Sequence, residues 1–132
     1  MSDFHQNGVI STLHNLSNRS LAEIESELRE YSKQAPIELI LPCLFSELEG
    51  AALKKIVTCL SEVKYLNHIT IGLDKANKSE FREAKKYFST LNQAHTVIWN
   101  DSPKMKALNN DFSKLGISPD QPGKGKNVWY CM

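Results

Sequence analysis

Apolar residues along the chain fall into two alternating rhythms, helical stripes and short unbroken runs, and their order predicts the architecture. Leu21, Ile24, Leu28 and Tyr31 recur at helical intervals behind Ser20 and Glu23, whose spacing is that of a capping box. Pro36 ends that stripe. Ile37-Glu38-Leu39-Ile40-Leu41 follows, short, branched and bounded by Pro36 and Pro42, and reads as a buried strand. Ser46 and Glu49 have the spacing of a second capping box, before a stripe of Leu53, Ile56, Val57, Leu60 and Val63. The run His68–Leu73 predicts a second strand ending at Asp74, and Asn77 with Glu80 opens a third helix burying Phe81, Ala84, Phe88 and Leu91. His95–Trp99 predicts a third strand, ending at Asn100-Asp101. Ser102-Pro103 then starts a fourth helix with Met105, Leu108, Phe112 and Leu115 on its apolar face, closed by Gly116.

Strands alternating with helices of this length imply right-handed βαβ units and a parallel sheet covered by helices. The expected fold class is α/β, a three-layer α/β/α Rossmann-like parallel sheet. Residues 1–35 form an N-terminal helical segment, loosely begun by Val9, Ile10, Leu13 and Leu16, and residues 36–132 form the α/β unit. With only three strands, an edge is left that a second copy of the chain could complete.

In open parallel sheets ligands bind beyond the carboxyl ends of the strands. The segments Pro42–Glu49, Asp74–Lys75 and Asn100–Ser102 therefore become candidates, and each carries a carboxylate. Taken singly, Glu49 and Asp101 read as helix caps. Three acidic positions at one sheet edge suit the ribose and base of a nucleotide. The phosphates need positive charge and free amides, which the predicted loop Gln121–Asn127 supplies through Gly123, Lys124, Gly125 and Lys126. Neither a P-loop nor a G-x-G-x-x-G dinucleotide motif is present. Trp99 reads as a core or sheet-face aromatic, and Trp129 with Tyr130 as packing a further element onto the sheet.

Composition narrows the classes. A chain of 132 residues, 41% hydrophobic and 23% charged, suits one soluble domain, and a net charge of +1 disfavours nucleic acid or an anionic membrane as partner. Cys43, Cys59 and Cys131 make no closed disulfide framework and read as reduced thiols of a cytoplasmic protein. His5, His14, His68 and His95 have no ligand spacing, and His68 and His95 open strands at the edge opposite the expected site. The first residues lack a signal-peptide pattern, and no apolar run approaches the ~20 residues of a membrane span.

The runs LPCLFSELEG after the first strand, IGLD closing the second, WND closing the third, and PGKGKNVW resemble a bacterial family-2-like GT-A glycosyltransferase group that includes the glucosyl-3-phosphoglycerate synthases. The resemblance extends from about Ile10 to the end. It implies the N-terminal half of a nucleotide-diphospho-sugar transferase fold, with a donor, expected to be a UDP-sugar, lying across the strand ends. Carried onto this sequence, uracil and ribose contacts fall to Pro42, Leu44, Ser46, Glu47 and Glu49, the acidic residue closing the second strand is Asp74, and the Gly-Lys-Gly segment is Gly123, Lys124 and Gly125, with Asp101 a further carry-over. Asp74-Lys75-Ala76 departs from the serine- and glycine-rich form of the wider group.

A divalent cofactor, Mg²⁺ or Mn²⁺, is expected of the full-length family, held by an Asp-x-Asp-type motif on a later strand that residues 129–132 do not supply. The resemblance therefore implies the donor-binding part of a hexosyl-transferring enzyme, with a small acceptor such as a phosphoglycerate and its catalytic residues beyond residue 132. Residues 127–132 look like the opening of an apolar helix, so a truncated gene product or fragment, inactive alone, is expected. A stand-alone non-catalytic module binding a nucleotide or a protein stays open as the alternative. A nucleotidyltransferase is disfavoured, because LPCLFSELEG is not a Gly-rich, basic loop.

Overall fold

The computed structural model describes residues 19–117 and 123–132. Five helices and three strands run α1 (Leu21–Gln34), β1 (Ile37–Leu44), α2 (Ala51–Glu62), β2 (Leu66–Asp74), α3 (Lys78–Phe88), β3 (His95–Trp99), α4 (Pro103–Lys114) and α5 (Lys124–Cys131) among the described residues. The strands are all parallel, in the order β1-β2-β3. The expected α/β Rossmann-like sheet with flanking helices is what the chain forms.

Side-chain alternation sorts the two faces of this sheet. Leu39, Leu41 and Cys43 lie in register with Ile69, Ile71 and Leu73. This face is dry: Ile69, Ile71, Leu73 and Phe88 are fully buried, packed with Leu53 and Val57 of α2 and Ala84 of α3. Each such side chain contributes roughly 1.5–3 kcal/mol by leaving water. On the other face Pro42 pairs in register with Gly72, and α5 lies across β1 and β2 there.

Local chemistry fixes most helix starts. Ser20 and Asn77 each form a full capping box, with Glu23 and Glu80 respectively, and Ser102 accepts the Met105 N–H ahead of Pro103. Gly116 closes α4 in the left-handed conformation at φ 76°.

Five expectations need correction. β1 does not stop at Pro42 but runs on to Leu44, because β1 is an edge strand and tolerates a missing N–H. It is not a uniformly buried strand either, since only Cys43 is fully covered. The anticipated Ser46/Glu49 box does not form. A 3₁₀ turn at Phe45–Glu47 intervenes, in which the Glu47 carboxylate accepts the Leu44 N–H at 2.8 Å, and Gly50 caps α2 instead.

The other two corrections concern α5. The segment Lys124-Gly125-Lys126 is the first turn of this helix and not a loop. α5 does rest on the sheet, but Trp129 and Tyr130 tie it to α4 as well: Trp129 meets Phe112 edge-on at 5.3 Å, and the Tyr130 hydroxyl donates to Asn109. The apolar stripes of α1 and α4 find little cover among the described residues, with Leu21, Tyr31, Leu108 and Leu115 exposed. Val9, Ile10, Leu13, Leu16, His5, His14 and residues 118–122 lie outside the described residues.

Candidate functional site

The C-terminal ends of β1 and β2 open into a cleft of about 390 Å³. Its wall is assembled from three separate stretches: Pro42, Cys43, Leu44 and Glu47 at the end of β1, Asp74 and Lys75 at the end of β2, and Gly123, Lys124 and Asn127 at the start of α5. Pro42, Leu44, Glu47, Asp74, Gly123 and Lys124 were all singled out by sequence, and the fold brings those six together. Ser46, Glu49 and Gly125 are exposed and stand outside this wall.

One buried amide positions the third stretch. Asn127, 3% exposed, donates from Nδ2 to the Gly72 carbonyl at 2.8 Å. The approach is close enough that a Cβ at Gly72 would sit 1.8 Å from Asn127 Oδ1. Only glycine admits the helix there. This contact seats the N-terminus of α5 over the cleft, where no described side chain caps it. Uncapped helix N-terminal amides with an adjacent lysine form an arrangement that favours anions.

The rim carries two carboxylates, Glu47 and Asp74, and two ammonium groups, Lys75 and Lys124. Glu47 is held by the Leu44 N–H, and Asp74 Oδ1 accepts the N–H of Lys75 at 3.0 Å. Lys75 has φ 54°, the left-handed region that a lysine rarely enters. Cys43 at the floor is buried beside Glu47, and burial first, then that carboxylate, push its thiol up to about 12. It is accordingly a protonated packing group and not a nucleophile.

Asp101 lies in a second, more open cleft at the end of β3, of about 510 Å³, with Trp99, Pro103, Lys106 and residues 75–78. Its Oδ2 accepts the Ala76 N–H at 3.0 Å, while Trp99 Nε1 donates to the Ala76 carbonyl at 2.7 Å. Both polar groups of one peptide residue are thereby clamped from β3, so Asp101 fixes the loop after β2. Trp99 also stacks on Phe81, with ring centroids 5.2 Å apart.

Lys75, Asn127 and Cys43 also belong to the cleft; each lay within a candidate segment but was given no binding role of its own. Lys75 closed the candidate segment Asp74–Lys75, but of that pair only Asp74 was assigned a contact, and Asp74-Lys75-Ala76 was noted for departing from the family pattern. Asn127 acts through a residue 55 positions away, which no local pattern reveals. His68 and His95 sit toward the opposite ends of their strands, contacting Thr96 and the Gln93 carbonyl. No three His, Cys, Asp or Glu side chains converge as a metal site among the described residues. No helix among them is long and apolar enough to cross a membrane.

Comparison with known proteins gives two curated relatives. The chain is 46% identical over its full 132 residues to a glucosyl-3-phosphoglycerate synthase of Persephonella marina, covering 33% of that protein. It is 34% identical over 128 residues, 96% of the chain, to a glucosyl-3-phosphoglycerate synthase of Methanococcoides burtonii, covering 31% of it. The chain thus spans about a third of the length of these relatives. No family model matches, and no solved structure matches.

Proposed function

We propose, from the full-length similarity of this chain to two glucosyl-3-phosphoglycerate synthases, that it is the donor-binding part of a glycosyltransferase using a nucleotide-diphospho-sugar. The donor is a UDP-sugar, and the acceptor is a small phosphorylated hydroxy acid such as a phosphoglycerate. The observation that carries this reading is the cleft itself. Three segments far apart in sequence meet at the carboxyl edge of β1 and β2, where open α/β sheets bind ligands.

The roles follow from the chemistry of each wall. Pro42 and Leu44 offer an apolar surface to the base, and the Glu47 carboxylate, already oriented by the Leu44 N–H, accepts from ribose or base donors. Asp74 accepts a second ribose hydroxyl. Lys124 and the first amides of α5 face the diphosphate, in keeping with a helix dipole and a point charge acting together. Ser46 and Glu49, just outside the wall, and Gly125, in the first turn of α5, contribute only once the bound donor extends beyond the cleft. Asp101 supports the β2 loop from outside the cleft.

A divalent cation would neutralise the departing diphosphate in such an enzyme. Among the described residues no group gathers the ligands for one, so the role assigned to this chain is recognition, with no step of the transfer derived through a metal.

Calorimetric or NMR titration of the chain with UDP and a UDP-sugar tests the proposal. Saturable binding is expected, weakened about tenfold by Lys124→Ala, which corresponds to ~1.4 kcal/mol. Absence of binding at millimolar nucleotide, or equal affinity in the variant, would overturn the assignment.

A further inference from the structure

We propose that Lys75 is a specificity-determining cation of the donor cleft, reading the diphosphate from the β2 side while Lys124 reads it from α5; this rests on the donor-site reading above. Lys75 is the one residue other than glycine with positive φ among the described residues. A lysine has no conformational reason to occupy the left-handed region, where glycine sits without penalty and Asn or Asp can hydrogen-bond locally. Strained backbone of this kind persists only where its surroundings over-determine it.

Those surroundings are visible on both sides. Asp74 Oδ1 takes the Lys75 N–H, and the next residue is held at its N–H by Asp101 and at its carbonyl by Trp99. Three residues from two strand ends thus combine to keep one lysine on the wall that the two clefts share. Its ammonium group forms no ion pair with any described residue. Without Lys75 the rim would set Glu47 and Asp74 against Lys124 alone, a net negative balance unsuited to a diphosphate. With it, the carboxylates are matched, and the uncapped amides of α5 tip the site toward anions.

The distinguishing prediction separates backbone from charge. Lys75→Gly relaxes the left-handed turn and removes the cation, Lys75→Ala keeps the turn without the cation, and Lys75→Arg keeps both. UDP and uridine are titrated into each variant and into the unaltered chain at low and high salt, with melting temperatures measured in parallel. Expected is a roughly tenfold loss of UDP affinity in the glycine and alanine variants, as for a lost charged hydrogen bond. Uridine affinity should be unchanged, the arginine variant near the unaltered chain, and the salt dependence of UDP binding reduced. The glycine variant should melt no lower than the unaltered chain, which excludes unfolding as the cause.

If the unaltered chain binds UDP but all variants keep the same UDP-to-uridine ratio, the role of Lys75 is wrong and the donor site stands. If the unaltered chain binds neither ligand, the donor site fails, and the role of Lys75 with it.

Discussion

Gly72→Ala places a methyl group where α5 already stands. The new Cβ would lie 1.8 Å from Asn127 Oδ1, 2.9 Å from Asn127 Cγ and 2.6 Å from Cys131 Sγ. β2 is the central strand and cannot recede, so α5 must lift. Forcing a methyl into a packed interface costs about 1–3 kcal/mol. Lifting the helix also breaks the 2.8 Å Asn127–Gly72 hydrogen bond and strands a buried amide, a further ~1–3 kcal/mol. The sum, about 2–6 kcal/mol, is a large share of the ~5–15 kcal/mol by which domains are stable.

Urea unfolding of the variant should therefore show a loss of unfolding free energy of that size, read as a lowered midpoint, with the backbone NMR shifts of residues 124–131 displaced. UDP binding should weaken too, since Lys124 rides on α5. Placing Gly72→Ala in an Asn127→Ala background removes two of the three close contacts and leaves Cys131 Sγ, so the second substitution should cost less there than alone, a coupling of ~0.5–3 kcal/mol. A Gly72→Ala variant within ~0.5 kcal/mol of the parent, with α5 shifts unmoved, would refute the seating of α5 on β2 and the cleft built on it.

Two further outcomes are expected. Asp101→Ala leaves the buried Ala76 N–H unpartnered and should lower stability by about 1–3 kcal/mol in urea, and a neutral result would remove Asp101 from the loop clamp. At Cys43 the folded-state thiol titrates near 12 against an ordinary value of 9.0, so below pH 9 both states hold the proton and the burial contribution is intact. Between pH 9 and 12 the unfolded chain loses that proton first, so unfolding free energy should fall by a few kcal/mol as pH rises. In the same vein, iodoacetamide at pH 8 should label the exposed Cys59 and spare Cys43, and rapid labelling of Cys43 in the native chain would show that it is not buried.

How much of the site was legible depends on how local its signals are. Pro42, Leu44, Glu47 and Asp74 follow from one rule, that strand carboxyl ends carry the ligand site, once β1 and β2 are recognised from their branched runs. Lys124 and Gly123 followed from glycine and lysine chemistry, even though the segment was read as a loop when it is helical. Glu49 was misplaced because two glutamates, Glu47 and Glu49, each stand three residues after a possible cap position, Leu44 and Ser46. The carboxylate of Glu47, three residues after Leu44, took the cap and displaced the start of α2 to Gly50. Lys75 fell in a strand-end segment, but no sequence pattern assigned it a role of its own, since its importance lies in a backbone angle.

By itself the sequence determined the element order, the parallel sheet and most helix starts. These rest on contacts within four residues or on the period of apolar positions, as with the Asn77–Glu80 box and the Ile69, Ile71, Leu73 face. Tertiary structure alone decided how α5 sits, which carboxylates face the cleft and which one, Asp101, only braces it. Those choices hang on Asn127 meeting Gly72 and Asp101 meeting Ala76, pairs 55 and 25 residues apart. Such pairs form only after the sheet has brought the strand ends side by side, and no periodicity along the chain encodes them.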